Sequence, residues 1–167
     1  HKVDVVVMDK TGTLTAGKPT VTDIVTTDAG EDDLLRLVAS AERTSEHPLG
    51  KAIVAWAREK GLPLAEAQQF RSIPGSGIEA NVEGTSVLVG NMSLLAGRGL
   101  GLNGLEGAAR ELSRQGKTAT WVAIDGEVKA VVAVSDSVKP RAKDAVAALR
   151  RQGLQVVMLT GDSRATA

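Results

Sequence analysis

An almost unbroken apolar run, Val3, Val5, Val6, Val7 and Met8, stops abruptly at Asp9-Lys10-Thr11-Gly12-Thr13. Apolar character this continuous is the pattern of a strand covered on both faces in a parallel sheet, and it predicts a strand over Lys2 to Met8. A second run, Leu154 to Leu159, has the same character and stops in Thr160-Gly161-Asp162. Before it, Lys139 to Gly153 places Ala142, Val146 and Leu149 on one helical face, with Arg141, Lys143, Arg150 and Arg151 around the rest and Pro140 in the first turn. Residues 1–15 and 134–167 therefore read as pieces of one doubly wound α/β domain. In open sheets of this kind ligands bind beyond the carboxyl ends of the strands, which is where Asp9 lies.

The middle of the chain has a different texture. Thr20 to Thr27 alternates as a half-buried strand, and Glu31 to Arg43, Leu49 to Glu59 and Leu102 to Gln115 are periodic helices. Short strands are expected at Phe70–Ile73, at Gly77–Val82 and at Thr85–Val89, with Gly84 as a turn. Thr118–Ile124 and Val128–Val134 form a hairpin across Asp125-Gly126, a strong turn signal. Ala96 to Gly101 is a surface loop; no strand leads into it, as a dinucleotide motif would require. Turn-linked strands with paired helices suggest an α+β insertion over 18–130.

Composition narrows the chemistry. The 167 residues suffice for one compact domain or two small ones, and 20 basic against 20 acidic residues leave no electrostatic footprint for nucleic acid. Absence of cysteine excludes disulfides, thiolate metal sites and a cysteine nucleophile. Trp56, Trp121 and Phe70 are the only aromatics, so the core is built from Val, Leu, Ile and Ala. No apolar run reaches the roughly 18 to 20 residues needed to span a bilayer, and no signal peptide is expected.

Asp9 at a strand end also suits plain capping of the next turn. Its neighbours sharpen the reading. A carboxylate that attacks a phosphoryl group needs cationic help, which Lys10 and Mg²⁺ supply. Thr11, Gly12 and Thr13 offer hydroxyls and backbone N–H groups, a phosphate cradle. The seven residues Asp9 to Thr15, DKTGTLT, resemble the phosphorylation motif of P-type ATPases. The resemblance implies that Asp9 becomes an aspartyl phosphate, with Mg²⁺ at Asp9 and Thr11 in a site left incomplete here. Phosphatases of the same haloacid dehalogenase-like fold carry a second Asp two residues on, as acid and base. Thr11 stands there instead and cannot act as that base, so the acyl phosphate should persist.

Further stretches follow the same family. Thr160-Gly161-Asp162 resembles its TGD motif, implying phosphate contact by Thr160 and Gly161, with Asp162 facing ATP or supporting the loop; alone it reads as an ordinary turn. Asp136-Ser137-Val138-Lys139-Pro140 is similar to its DxxK/RP hinge element, implying that Asp136 and Lys139 orient Mg²⁺ and nucleotide; a helix start with an acid and a Pro fits equally. Ser45-Glu46-His47-Pro48-Leu49 resembles the signature of the heavy-metal, or P1B, subgroup, in which the matching His packs on adenine; a lone His between helices is otherwise a surface residue. Glu42 falls where the family uses a carboxylate near the adenine amino group. Gly75-Ser76-Gly77 resembles the glycine loop beside the nucleotide, with a tight turn as the plain alternative. Gly90-Asn91 resembles the later GN pair, and Asn91 also suits an N-cap.

The implied fold is an α/β one, an incomplete haloacid dehalogenase-like (Rossmann-like) phosphorylation domain. It comprises residues 1–17 and 131–167, with an inserted α+β nucleotide-binding domain at 18–130 whose antiparallel sheet is flanked by helices. The implied function is the ATP-binding and phosphorylation region of a heavy-metal pump with ATP and Mg²⁺ as cofactors, the cargo being copper(I), otherwise zinc or cobalt. It implies a cytosolic portion of an integral protein of the bacterial plasma membrane. Its partners are ATP and the membrane and actuator domains of the same pump, and copies of the chain can pair through the truncated sheet. The family's GDGxND loop does not occur in the sequence, so nucleotide binding with little or no hydrolysis is expected. A nucleotide-binding module without catalysis, or a capped phosphatase, are the alternatives.

Overall fold

The structure, a computed structural model, describes residues 3–27 and 30–160. Six strands form one antiparallel sheet: β2 (Thr15–Thr26), β3 (Ala67–Ile73), β4 (Gly77–Val82), β5 (Thr85–Gly90), β6 (Thr118–Ile124) and β7 (Glu127–Val138), in the order β2-β7-β6-β5-β4-β3. The tight turns are chemically specified. Asp125 and Gly126 both take positive φ, 48° and 81°, as do Glu83 and Gly84 at 53° and 86°, the backbone that two-residue hairpins demand.

Helices cover both faces. On one side α1 (Glu31–Glu42) and α2 (Pro48–Glu59) bury Leu35, Val38 and Ile53 against Val82, Val87, Val89, Val122 and Val132. On the other, α3 (Met92–Gly97) and α4 (Glu106–Arg114) bury Leu95 and Leu112 against Leu88, Trp121, Val128 and Val131. Val128 and Val131 differ in parity yet share a face. The ladder steps from Val122↔Ala130 to Ala123↔Val128, so Lys129 is a bulge that shifts the alternation by one. Lys117 and Asp23 pair at 2.7 Å and tie the start of β6 to β2, and that contact lowers the Asp23 carboxyl from its ordinary value.

A separate parallel pair joins β1 (Val5–Asp9) to β8 (Gln155–Leu159), with Asp9 opposite Leu159. The helix α5 (Ala142–Arg151) packs against β8. The sequence pattern predicts that this strand is covered on both faces, and within this chain it is not. Val5, Val7, Val157 and Leu159 are exposed, because among the described residues only one helix lies against the pair.

Several boundaries differ from the periodicity: β1 is Val5–Asp9, β2 starts at Thr15 and β3 at Ala67. α4 starts at Glu106 instead of Leu102, because Asn103 and Gly104 adopt positive φ, 50° and 80°, and Asn103 donates its amide to the Val128 carbonyl. The predicted loop at Ala96 begins inside α3, which ends at Gly97. β7 runs on to Val138 because β2 continues to pair with it as far as Thr15. The expected domain limits at 17/18 and 130/131 therefore fall within two continuous paired strands. No helix of the described residues is long and apolar enough to cross a membrane.

Candidate active site

Two groups of side chains gather the residues singled out in the sequence. The first lines a cleft of about 560 Å³ between the α1–α2 connection and the strands β3 to β6. Glu42, His47, Gly75, Gly77, Gly90 and Asn91 all border it. Leu49, Phe70, Ile73, Ile78 and Val89 supply an apolar wall, and Thr118 and Thr120 add hydroxyls. A mostly apolar cleft of this size with a few placed polar groups is the usual form of a small-molecule site.

Glu42 is the unusual group. It is the last residue of α1 and only 4% exposed, and its Oε2 is buried without a hydrogen-bond partner. Burial pushes its carboxyl above the usual range, while a hydrogen bond from Ser45 opposes the rise. The Ser45 hydroxyl also accepts the His47 backbone N–H at 3.3 Å. His47 caps α2: its Nδ1 accepts the Leu49 N–H at 3.2 Å, with Pro48 in the first turn. That acceptor role leaves the ring proton of a neutral imidazole on Nε2. Its ring is exposed at the cleft rim.

The glycines have separate reasons. Gly77 and Gly90 face each other across β4 and β5. A Cβ on Gly77 would lie 2.0 Å from the Val89 carbonyl oxygen, and one on Gly90 would lie 2.5 Å from the Ser76 carbonyl oxygen. Both are required by close backbone approach. Gly75 has φ of 67° and open space around it, so it is a turn residue at the rim. Asn91 holds that turn, donating its amide to the Gly75 carbonyl at 2.9 Å and capping α3 by accepting the Leu94 N–H at 3.0 Å. The plain turn and capping roles of Gly75 and Asn91 are therefore present in the structure.

The second group surrounds Asp9, which is exposed at the carboxyl end of β1. Lys10–Leu14 form a tight turn that departs from helical angles at Thr11 (φ −77°, ψ 123°) and Gly12 (φ 78°, ψ −17°). Thr15, 2% exposed, organises it. Its hydroxyl donates to Asp136 Oδ2 at 2.5 Å, accepts the Gly12 N–H at 3.2 Å and lies 3.1 Å from the Lys10 carbonyl. The Gly12 N–H expected in a phosphate cradle is thus already engaged, while Thr11 and Thr13 remain exposed. Asp136 also accepts from the N–H groups of Gly17 at 3.0 Å and Lys18 at 3.1 Å. Lys139 donates to the Gly12 carbonyl at 2.6 Å. Lys139 is thus bonded to the turn that follows Asp9, and Asp136 to the start of β2. Thr160 follows Leu159, the partner of Asp9 in the parallel pair. Gly161 and Asp162 lie outside the described residues.

Mg²⁺ at Asp9 and Thr11 finds no full ligand set among the described residues. No group of three or more His, Cys, Asp or Glu comes together there, and both Asp136 oxygens accept protein donors. By themselves these residues do not fit the ion.

Phe70 and Ser45 also border the cleft, and Gly50 lies behind them against Glu42, none of which the motifs singled out as site residues. A Cβ on Gly50 would lie 2.3 Å from Glu42 Oε2. Phe70 reaches the cleft because β3 is bulged: the ladder jumps from Gln68↔Asn81 to Arg71↔Glu79, with Gln69 at φ 53°. A bulge of this kind leaves little signal in the sequence, whereas the SEHPL string did contain Ser45.

Residues 3–167 match the haloacid dehalogenase-like hydrolase family. A copper-exporting P-type ATPase of Staphylococcus epidermidis is 45% identical over 168 residues, which cover 100% of this chain and 21% of that protein. The chain thus spans about a fifth of the length of this relative. The structure of a zinc-transporting PIB-type ATPase in the E2.Pi state superposes with TM-score 0.75 at 36% identity, covering 99% of this chain and 27% of that one. The N-domain of a copper-transporting P-type ATPase superposes with TM-score 0.60 at 29% identity, covering 71% of this chain and 99% of that one. The chain belongs to the haloacid dehalogenase-like hydrolase family, and the relatives it resembles along its whole length are heavy-metal P-type ATPases.

Proposed function

We propose that this chain is the ATP-binding and phosphorylation region of a heavy-metal-transporting P-type ATPase, with adenine seated in the cleft between Glu42 and His47. The observation that carries the reading is the buried, unpartnered Oε2 of Glu42, which borders that cleft. Such an acceptor is costly unless a ligand supplies a donor, and the adenine amino group is one. The exposed His47 ring offers a flat face for the base at the rim, and the apolar wall suits the rest of it. Gly75 and Gly77 bring backbone close to the nucleotide, and Gly90 and Asn91 hold that backbone in place.

In this reading the unit at 18–130 binds nucleotide, and residues 1–17 and 131–167 carry the phosphoryl acceptor. A carboxylate oxygen of Asp9 attacks the γ-phosphorus of ATP. The bond to the β–γ bridging oxygen breaks, ADP leaves with that electron pair, and an aspartyl phosphate remains. Mg²⁺ would offset charge on the phosphates, with ligands beyond those described here. Lys10, Thr11, Thr13, Thr160, Gly161 and Asp162 contact phosphate, while Asp136 and Lys139 hold the turn after Asp9 in register with the paired strands. In the longer protein, closure of the two units would bring ATP to Asp9, and the cleavage energy would drive a metal cation through membrane segments. Copper(I) is the proposed cargo, because the 45% identical relative is a copper exporter; the zinc transporter is at 36%. The chain would then face the cytosol at a bacterial plasma membrane.

Amide NMR of the isotopically labelled chain titrated with ATP tests the assignment. Shifts concentrated at Ser45, His47, Gly75 and Gly77 are expected. A map centred elsewhere, or no binding at millimolar ATP, would refute it.

A further inference from the structure

Gly50 is the third residue of α2, in its first turn, where the helix itself has no need of a glycine. It does not serve backbone freedom, since its φ is not among the positive ones. It is buried, and a Cβ there would lie 2.3 Å from Glu42 Oε2, 3.0 Å from Glu42 Cδ and 3.0 Å from Ser45 Oγ. The space that a methyl group would fill is thus the space in which the Glu42 carboxylate lies. The obstructed atom is the same buried oxygen that lacks a protein partner. It is also the far end of a side chain, so an added methyl group displaces the carboxylate more readily than it breaks the fold.

We infer that Gly50 is a positioning residue for base selection: its missing side chain seats the Glu42 carboxylate where it accepts the exocyclic amino group of the purine. The inference rests on the adenine assignment above. Glu42 distinguishes a 6-amino donor from a 6-oxo acceptor, because an ionised carboxylate accepts hydrogen bonds and repels a carbonyl oxygen. Ser45 shares the arrangement. Its hydroxyl lies beside the Glu42 carboxylate, since a Cβ on Gly50 would meet both, and it accepts the His47 N–H. One small residue on α2 thereby sets the position of the carboxylate at the end of α1.

Calorimetric titration of the full chain with ATP and with ITP, which carries a 6-oxo group, tests this in wild type, Glu42→Ala, Gly50→Ala and the double variant. Gly50→Ala is expected to weaken ATP roughly tenfold while leaving ITP within twofold, and to add less than twofold in the Glu42→Ala background. Loss of ATP and ITP affinity in equal measure, or unchanged ATP affinity in Gly50→Ala, would overturn the positioning role. Glu42→Ala binding ATP as wild type does would overturn the adenine assignment itself. Where Gly50→Ala melts too low to titrate, Glu42→Asp/Gly50→Ala decides. Its shorter carboxylate clears the methyl group, so a recovered ATP preference supports the inference and equal ATP and ITP affinity overturns it.

Discussion

Lys139 reaches back across more than a hundred residues of sequence to donate its ammonium to the Gly12 carbonyl at 2.6 Å. The Lys139 N–H also bonds the Leu14 carbonyl at 2.9 Å, and Asp136 accepts from Thr15, Gly17 and Lys18. The turn after Asp9 is therefore held by the far end of β7, not by its own sequence alone. The bulge between Thr15 and Pro19, where Gly17 takes φ of 70°, is where these donors converge on one carboxylate.

Removing that carboxylate leaves two backbone donors and a buried hydroxyl without their acceptor. Asp136→Ala should lower stability by roughly 2 kcal/mol in urea unfolding. Amide exchange should quicken at Gly17 and Lys18 before the core of the sheet opens. An unchanged urea midpoint would show that the carboxylate does not hold the turn.

Glu42 should make the free chain less stable at neutral pH than in mild acid. Burial raises its folded carboxyl above the ordinary 4.5, so the folded state holds the proton more tightly than the unfolded state. The resulting penalty is absent below the unfolded value and grows as pH rises toward the folded one. Glu42→Gln should stabilise the ligand-free chain by about 1 kcal/mol at pH 7 and by nothing once both forms are protonated. Parallel melting curves at the two pH values check this.

Glu79 works in the opposite sense. Hydrogen bonds from Arg98 and then Arg71 hold its carboxyl at about 2, below the ordinary 4.5. Its contribution is full above the ordinary value and disappears as pH falls toward 2. Arg71 is largely exposed, so solvent screens the pair. Glu79→Gln should cost only about 0.5 to 1 kcal/mol at pH 7, less in high salt, and nothing near the low value. Salt-dependent urea titration distinguishes this from a packing loss.

Under the proposed function, Asp9→Asn in the longer protein should abolish acid-stable ³²P incorporation from γ-labelled ATP. Nucleotide binding by the isolated chain should stay within twofold, because Asp9 does not border the cleft. Retained labelling in the variant would move the acceptor elsewhere.

Much of the cleft was legible in the sequence because its residues carry local signals. Pro48 after His47 marks a helix start, Asn91 precedes a helix it caps, and the paired glycines mark close strands. The hairpin at Asp125-Gly126 was equally plain, since that dipeptide specifies positive φ at both positions. What escaped depends on contacts between distant segments. The bulge at Lys129 is set by which residues of β7 must face α4, and the role of Gly50 by a carboxylate eight positions earlier on another helix. The apolar run at Val5 and Val7 predicted cover on both faces, and the described residues supply one helix to the pair. The existence of the strand was legible because its pattern is local, although it starts at Val5 and includes Asp9.

The most direct test of the account is the ATP affinity of His47→Asn beside wild type. His47 both caps α2 and borders the cleft, and Asn retains a capping oxygen while removing the ring. The account predicts a melting temperature close to wild type and ATP, ADP and AMP all weakened by roughly tenfold or more, the loss expected when a base gives up an aromatic partner. Wild-type affinity in His47→Asn would contradict the placement of adenine against His47.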